Sequence, residues 1–395
     1  MMTHAGHDAF TVVLHGGPGE TGPLYTRLLA TDPVGPHGGA LLLTAEVYRD
    51  VGDAGPVFPI YRSADGRQWE LVAEVADTAY GVGNRYQPVL YELPAPFAGL
   101  PAGTILLAGS SIPSDMSSTT LVVYSSGDGG RSWEYRSTVD SGGPAEYDPS
   151  PSATTTAVWE PCLELIGDHL VCFYADERRK SDGMLQVIVH RTTNDLVSWS
   201  EPHLDFGVAD RFTRPGMFVT TGLMPDGMHR GVLEIVGPRE VPIRMVGSTD
   251  GLDWGAPDDI GELLVASDGT MLSGTPNIHW RKEPSGTVTV LATGRHSLDA
   301  DGRETNRALV NLSGGSGTWH SFELPVAAER RLDADSSGYS QSLLWNAAGE
   351  LVQATTVRND FDSHDIVVAV CAEPLWRHRA PASVSMDTET PREIA

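Results

Sequence analysis

Two glutamates carry the strongest chemical signal in the chain. Glu160 stands in Ala157-Val-Trp-Glu-Pro161, and Glu234 in Gly231-Val-Leu-Glu-Ile-Val-Gly237. An ionised carboxylate among apolar neighbours is costly unless it is paired or protonated, so such surroundings raise its pKa. Two carboxyls with separated pKa values are what acid/base and nucleophilic work on a glycosidic bond requires. Taken singly, each glutamate reads equally well as a buried structural acid paired with an arginine such as Arg214. Catalysis is favoured only if the fold brings the two together.

A repeat supplies the elements that would do so. Its clearest copy is Ser126-Gly-Asp128-Gly-Gly-Arg-Ser-Trp133. Shorter copies are Ser63-Ala-Asp65-Gly-Arg-Gln-Trp69 and Ser248-Thr-Asp250-Gly-Leu-Asp-Trp254, and a weaker one is Thr193-Asn-Asp195-Leu-Val-Ser-Trp199. Trp319 follows a Gly/Ser turn without the Asp. The tryptophans recur roughly every 55–66 residues, which signals one supersecondary unit used repeatedly. Each unit reads as strand, glycine turn, strand, strand, Asp-containing hairpin and a Trp-bearing fourth strand. The chain is therefore expected to be all-β: a six-bladed β-propeller with four-stranded antiparallel blades near 18–78, 79–143, 150–207, 208–262, 263–325 and 330–380. The strand Phe10 to His15 is left over and is expected to complete the last blade. The expected division is a loose segment 1–9, a single domain 10–380 and a loose tail 381–395.

The repeated Ser, Asp and Trp residues (Ser63, Asp65, Trp69, Ser126, Asp128, Trp133, Asp195, Trp199, Ser248, Asp250, Trp254) are read as hairpin-forming. A catalytic group is not needed several times over. In an antiparallel unit these hairpins lie at one end, and first-strand starts and second-strand ends lie at the other. First-strand starts carry Tyr25, Arg27, Asn84, Gln87, Trp159, Glu160, Arg214, Thr275, Asn277, Tyr339 and Gln341; second-strand ends carry Glu46, Asp176 with Arg178, Glu234 and Arg295. Most are polar or aromatic where an apolar core should begin, which predicts a polar pocket. Tyr25, Arg27, Asn84, Trp159, Asp176, Arg178, Arg214, Thr275, Arg295 and Tyr339 are the candidate substrate-binding residues, around Glu160 and Glu234 as the catalytic pair.

Composition narrows the partners. The 395 residues include 43 Gly and 27 Pro and carry a formal net charge of -25, which disfavours nucleic acid and anionic membrane surfaces. The 3 cysteines, Cys162, Cys172 and Cys371, form neither a disulfide framework nor a metal-ligand spacing, and are expected as free thiols. Cys162 and Cys172 flank the Gly167-Asp168 turn, so they are candidates to face each other across a hairpin. No metal and no cofactor is expected, and the expected state is a monomer acting on an oligo- or polysaccharide. The start of the chain lacks a basic segment followed by an apolar run, which reads as cytoplasmic, or as secreted if a leader has been trimmed.

The repeat is the Asp-box of the sialidase superfamily, and a longer ordered string is more specific. It runs Trp159-Glu-Pro161, Phe173-Tyr-Ala-Asp-Glu-Arg178, Val189-His190 through Trp199, Arg214-Pro-Gly-Met217, Pro225-Asp-Gly227 and Glu234, supported by Tyr61-Arg-Ser63, Leu100 to Ser110 and Gly338-Tyr-Ser340. This string resembles glycoside hydrolase family 93, the exo-α-1,5-L-arabinanases. The resemblance implies a six-bladed propeller and a retaining exo-glycosidase releasing arabinobiose from arabinan ends. It places the catalytic glutamates at Glu160 (acid/base) and Glu234 (nucleophile), with the roles exchangeable, and an active-site tyrosine at Tyr339. The chain departs from the family at Glu177, where a Gln is expected, and at Gln341, where an Arg is expected. Two other readings stay open: an exo-α-sialidase, with Arg27, Arg214 and Arg295 as a carboxylate clamp, and a non-catalytic glycan-binding propeller.

Overall fold

The computed structural model describes residues 10–48, 55–326, 337–371 and 376. The segments expected to be loose, 1–9 and 381–395, lie outside them. The described residues form six four-stranded antiparallel sheets and one three-stranded sheet. In chain order the first sheet holds Leu24–Ala30, Leu41–Glu46, Phe58–Ser63 and Glu70–Val75. The second holds Asn84–Glu92, Ile105–Ser111, Thr119–Ser126 and Glu134–Gly142. The third holds Val158–Ile166, His169–Asp176, Val187–Thr193 and His203–Phe206, and the fourth Arg214–Leu223, His229–Val236, Ile243–Ser248 and Glu262–Leu263. Asn277–Lys282, Val288–Thr293, Arg307–Asn311 and His320–Glu323 make the fifth.

The sixth sheet joins both ends of the described chain. Ser342–Trp345, Leu351–Arg358 and His364–Cys371 are completed by Phe10–Leu14, whose Phe10, Thr11 and Val12 pair with Ala369, Val368 and Val367. The left-over N-terminal strand thus lies where the sequence placed it, and it covers an otherwise open edge.

Apolar side chains collect between consecutive sheets. Leu42, Phe58 and Ile60 pack with Leu107 and Val122 between the first and second. Leu106 and Val123 pack with Leu170 and Val189 between the second and third, and Phe173 and Phe206 with Phe218 and Leu233 between the third and fourth. Further clusters join fourth to fifth, fifth to sixth and, through Val352, Val368, Leu41 and Leu43, sixth back to first. Each sheet buries both faces against neighbours, so its middle strands carry runs of consecutive apolar residues; Leu41, Leu42 and Leu43 are all fully buried. The result is a propeller-like all-β fold.

The repeated phrase builds the outer hairpins. Ser63, Ser126 and Ser248 each accept a hydrogen bond at Oγ from the N–H of Gly66, Gly130 and Gly251, at 2.8, 2.9 and 2.9 Å. The Asp carboxylates accept backbone N–H groups further round the turn: Asp128 takes those of Arg131 and Ser132 at 3.0 and 2.9 Å, and Asp195 those of Val197 and Ser198 at 2.8 Å. Gly130 has φ +92, and a Cβ there would lie 2.7 Å from Leu42 Cδ2, so only glycine fits.

Two expectations need correction, and two features were not expected. The tryptophan stands ahead of the fourth strand, not within it: directly before it at Trp69 and Trp133, and four and eight residues ahead at Trp199 and Trp254. There the indole N–H of Trp69 and Trp133 donates to the carbonyl of Gly66 and Gly130, both at 2.9 Å, locking the turn. In the fifth sheet Asn311 replaces the missing Ser and Asp: its Oδ1 accepts the N–H of Ser313 and Gly315 at 2.8 Å, and its Nδ2 donates to Ser316 O and Thr318 O at 2.9 and 3.1 Å. Cys162 and Cys172 do not face each other. Cys162 is opposite Phe173 and Cys172 opposite Leu163, so they enter different cores as free thiols. The three-stranded sheet, Met271–Ser273, His296–Leu298 and Glu304–Thr305, was also not foreseen.

The fully buried Asn311 makes the sharpest test of this hairpin chemistry. Asn311→Ala strands four backbone groups and is expected to lower unfolding free energy by about 2–4 kcal/mol. Denaturant titration checks this, and ligand affinity at the cavity described below should not change.

Candidate active site

Every inner strand begins with the same distortion. Tyr25, Gln87, Glu160 and Met217 have φ of 51, 56, 63 and 51, and Thr275 and Ser340, just ahead of the inner strands of the fifth and sixth sheets, have 42 and 53. Strand register slips around the first four, between Leu24 and Arg27, Tyr86 and Val89, Trp159 and Cys162, and Gly216 and Val219. A bulge re-aims side chains that regular alternation would send into the sheet interface. A left-handed conformation is costly for residues with a Cβ, so surrounding bonds must hold it.

Those bonds link each sheet to the next. The N–H of Gln87 donates to Glu46 Oε1 at 2.8 Å, and that of Glu160 to Gln87 Oε1 at 3.2 Å. The N–H of Met217 donates to Glu160 Oε2 and that of Thr275 to Glu234 Oε2, both at 2.6 Å. The N–H of Ser340 donates to Thr275 Oγ1 at 3.0 Å. Glu160 and Glu234 are therefore each fixed by one backbone donor from the following sheet.

The two glutamates line one cavity of about 590 Å³, with Glu46, Trp159, Glu177, Arg214, Thr275, Arg295 and Tyr339 also on its wall. Glu234 lies opposite Gly216 on the neighbouring strand. A Cβ placed on Gly216 would lie 3.4 Å from Glu234 Oε1, 3.5 Å from Glu160 Oε2 and 2.8 Å from Gln186 Nε2. The absence of a side chain here lets both carboxylates converge, and it bounds those two oxygens to about 7 Å or less, against ~5–5.5 Å for retaining and ~6.5–9.5 Å for inverting pairs.

Electrostatics separate the acids by their partners. Burial, then the like charge of Glu234, pushes the Glu160 carboxyl well above the usual range, against the pull of the Met217 N–H. Burial likewise raises Glu234, with the Thr275 N–H opposing. Glu46 is pushed up to about 7 by burial, although Tyr48 donates its hydroxyl at 2.5 Å. Glu177 is the acid with cationic neighbours: Arg214 Nη2 at 2.7 Å and Lys180 Nζ at 2.9 Å, with the Trp159 indole N–H at 3.2 Å and the Thr155 hydroxyl close by. The Arg214 guanidinium also donates to Gln186 Oε1 at 3.1 Å and lies 5.2 Å from the Tyr147 ring.

Of the residues picked out by sequence, the cavity gathers Glu160, Glu234, Trp159, Arg214, Thr275, Arg295 and Tyr339. Five others are not on its wall. Tyr25 and Arg27 line a second cavity of about 240 Å³, which Glu160 also reaches, and Arg27 Nη2 donates to Tyr25 OH at 3.3 Å. Asn84 is buried and donates to Val75 O at 3.0 Å and Tyr124 OH at 3.3 Å, tying the first two sheets. Arg178 bridges Asp176 and Asp140 at 2.8 and 2.5 Å, tying the second and third. These three hold sheets together because their polar groups already have protein partners. Arg214 pairs with Glu177 and not with either candidate catalytic acid. Glu177, Gln186, Tyr48 and Tyr147 were absent from the candidate set and do line the cavity; Glu46 and Gln87, expected at strand ends facing the pocket, line it too. Glu177 had one signal, its departure from the expected Gln.

Glu46 yields a pH test. Its folded-state pKa is raised, so its favourable contribution is complete below the unfolded value and is lost as pH rises towards about 7. Glu46→Gln removes that charge, and the Tyr48 hydroxyl can turn to accept from the new amide. The variant is expected to gain about 1–3 kcal/mol over the parent at pH 8 and little at pH 4. Parallel denaturant curves at the two pH values read this out.

No protein-family model matches the chain, and no curated protein matches it. Solved structures do. The α-L-arabinanase of Penicillium chrysogenum, complexed with arabinobiose, aligns with TM-score 0.77 and 30% identity over 91% of this chain and 97% of that one. The family 93 α-L-arabinofuranosidase of Fusarium graminearum with arabinobiose gives TM-score 0.75 and 30% identity over 92% and 98%. A complex of a Fusarium graminearum α-L-arabinofuranosidase with an iminosugar inhibitor gives 0.76 and 28% over 91% and 97%. With that identity sustained along nearly the full length of both chains, this protein belongs to glycoside hydrolase family 93.

Proposed function

We propose that the protein is a retaining, exo-acting hydrolase of α-L-arabinofuranosidic linkages that releases arabinobiose from arabinan ends. Its chemistry is carried by Glu160 as acid/base and Glu234 as nucleophile, in a single six-bladed propeller spanning 10–380. The observation that carries the reading is the convergence of Glu160 and Glu234 across Gly216 inside one cavity. The bound on their separation admits the retaining distance and excludes most of the inverting range. The two solved relatives bound to arabinobiose support the sugar, and the cavity volume suits a small oligosaccharide.

The steps follow from the two environments. Glu160, kept protonated by burial and by the charge of Glu234, gives its proton to the departing glycosidic oxygen. Glu234 attacks the anomeric carbon as that bond breaks, forming a glycosyl ester. Glu160, now a carboxylate, takes a proton from water as the water oxygen replaces Glu234. Both acids return to their starting states. Trp159 and Tyr339 offer faces for the sugar rings.

An acidic sugar is served less well. A sialidase clamp needs three arginines on one carboxylate, but Arg27 lines the second cavity and Arg214 has Glu177 as counter-ion. A purely glycan-binding role gives no reason for two desolvated acids to converge.

Glu160→Gln and Glu234→Gln are each expected to lower kcat on linear arabino-oligosaccharides by about 10³-fold or more with the fold intact. Added azide assigns the roles: an acid/base variant yields the glycosyl azide of retained configuration, a nucleophile variant the inverted one. Full turnover in either variant, or hydrolysis of an aryl sialoside but not an aryl arabinofuranoside, overturns the reading. In the parent enzyme kcat/KM should fall as pH rises through the raised Glu160 value, because its proton is needed. It should also fall as pH drops through the raised Glu234 value, because its charge is needed. A pH–rate profile measures both limbs.

A further inference from the structure

A second cluster of chemically active side chains lies on the outer strands of the third sheet. His190, on Val187–Thr193, is directly opposite His203, on the edge strand His203–Phe206. The register pairs Val189 with Leu204 and Ile188 with Phe206, which leaves Asp205 as an extra, bulged residue. The bulge turns its carboxylate towards the two imidazoles. His190 Nδ1 lies 2.8 and 3.0 Å from the two Asp205 oxygens, and His203 Nδ1 lies 3.5 Å from Oδ1. One ligand atom from each residue falls within 4.8 Å of the others.

The charge balance is unusual. The Asp205 side chain is 0% exposed. No lysine or arginine among the described residues forms an ion pair with it; its ion-pair partners are the two histidines. A buried carboxylate facing two imidazole nitrogens, with no lysine or arginine paired to it, is a donor set of the kind that holds a cation.

We propose that His190, His203 and Asp205 form a divalent-cation site of the zinc class, with solvent water as the fourth ligand. Two imidazoles and a carboxylate suit zinc better than magnesium or calcium. Ligand atoms around a tetrahedral zinc stand ~3.3 Å apart, and the distances from Asp205 to the two histidines bracket that figure. The His203 side chain is 65% exposed, which gives the ion an entry path. The site sits near the outer hairpin of its sheet, at the end away from the glutamates. Its role is to fasten a four-residue edge strand to its neighbour. The ligands were not legible as a metal motif because they come from two strands separated by the Asp195 hairpin.

The experiment titrates Zn²⁺ into chelator-treated full-length protein, with calorimetry for stoichiometry and thermal unfolding for linkage. Expected are one tight site per chain and a Tm several degrees higher in saturating Zn²⁺. His203→Ala, at an exposed position that leaves the fold and the glycosidase activity intact, should weaken Zn²⁺ binding at least 10-fold and abolish the Tm shift. Asp205→Asn should do the same. Failure of the parent to bind one equivalent, or binding by His203→Ala as tight as the parent's, overturns the assignment and leaves a hydrogen-bonded His–Asp–His cluster without an ion.

Discussion

The inner strands start in a conformation that would not persist in isolation. Tyr25, Gln87, Glu160, Met217, Thr275 and Ser340 all have positive φ, and each is a residue for which that region is disfavoured. Five of the six give their N–H to a side chain of the preceding sheet. The strain and its relief therefore belong to different sheets, and no single sheet can hold its own bulge. Alignment of the two glutamates is a property of the assembled ring.

This arrangement also explains why the acids differ. Glu177 meets Arg214 and Lys180. Glu46, Glu160 and Glu234 are held by backbone N–H groups and, for Glu46, a phenol. A neutral donor stabilises a carboxylate less than a guanidinium does, so burial prevails and all three shift upward. The same interlocking bonds that hold the bulges thus leave the cavity acids with raised proton affinity.

Much of this was legible in the residues. The Asp–Trp phrase has a fixed period, which located strand ends and so placed Glu160, Glu234, Arg214, Thr275 and Tyr339 in one region. The unpaired N-terminal strand followed from counting. Reading failed where local geometry overrides alternation. A one-residue bulge reverses which side a residue faces, as between Trp159 and Cys162, and Glu177 lies just past the end of its strand, so nothing in the order Asp176-Glu177 says that the first clamps two sheets while the second lines the cavity. Asn84 and Arg178 are polar for the sake of sheet-to-sheet bonds, and sequence does not distinguish that from ligand contact. Tyr147 comes from a connection between sheets without periodicity. His190 and Asp205 meet only through a register that the hairpin sets.

The sixth sheet, whose outer strand is Phe10–Leu14 and whose other strands run from Ser342 to Cys371, sets a timetable for biosynthesis. During synthesis the first sheet leaves the ribosome with one flank bare, and it stays so until the last strands are made. The apolar faces of Leu41, Leu43 and Val352 can meet only then. A nascent or truncated chain can complete several sheets and still lack a working cavity, so activity reports full-length translation. Linking Phe10–Leu14 to His364–Cys371 covalently and opening the ring at an outer hairpin would change which sheet waits, while leaving the finished sheets the same.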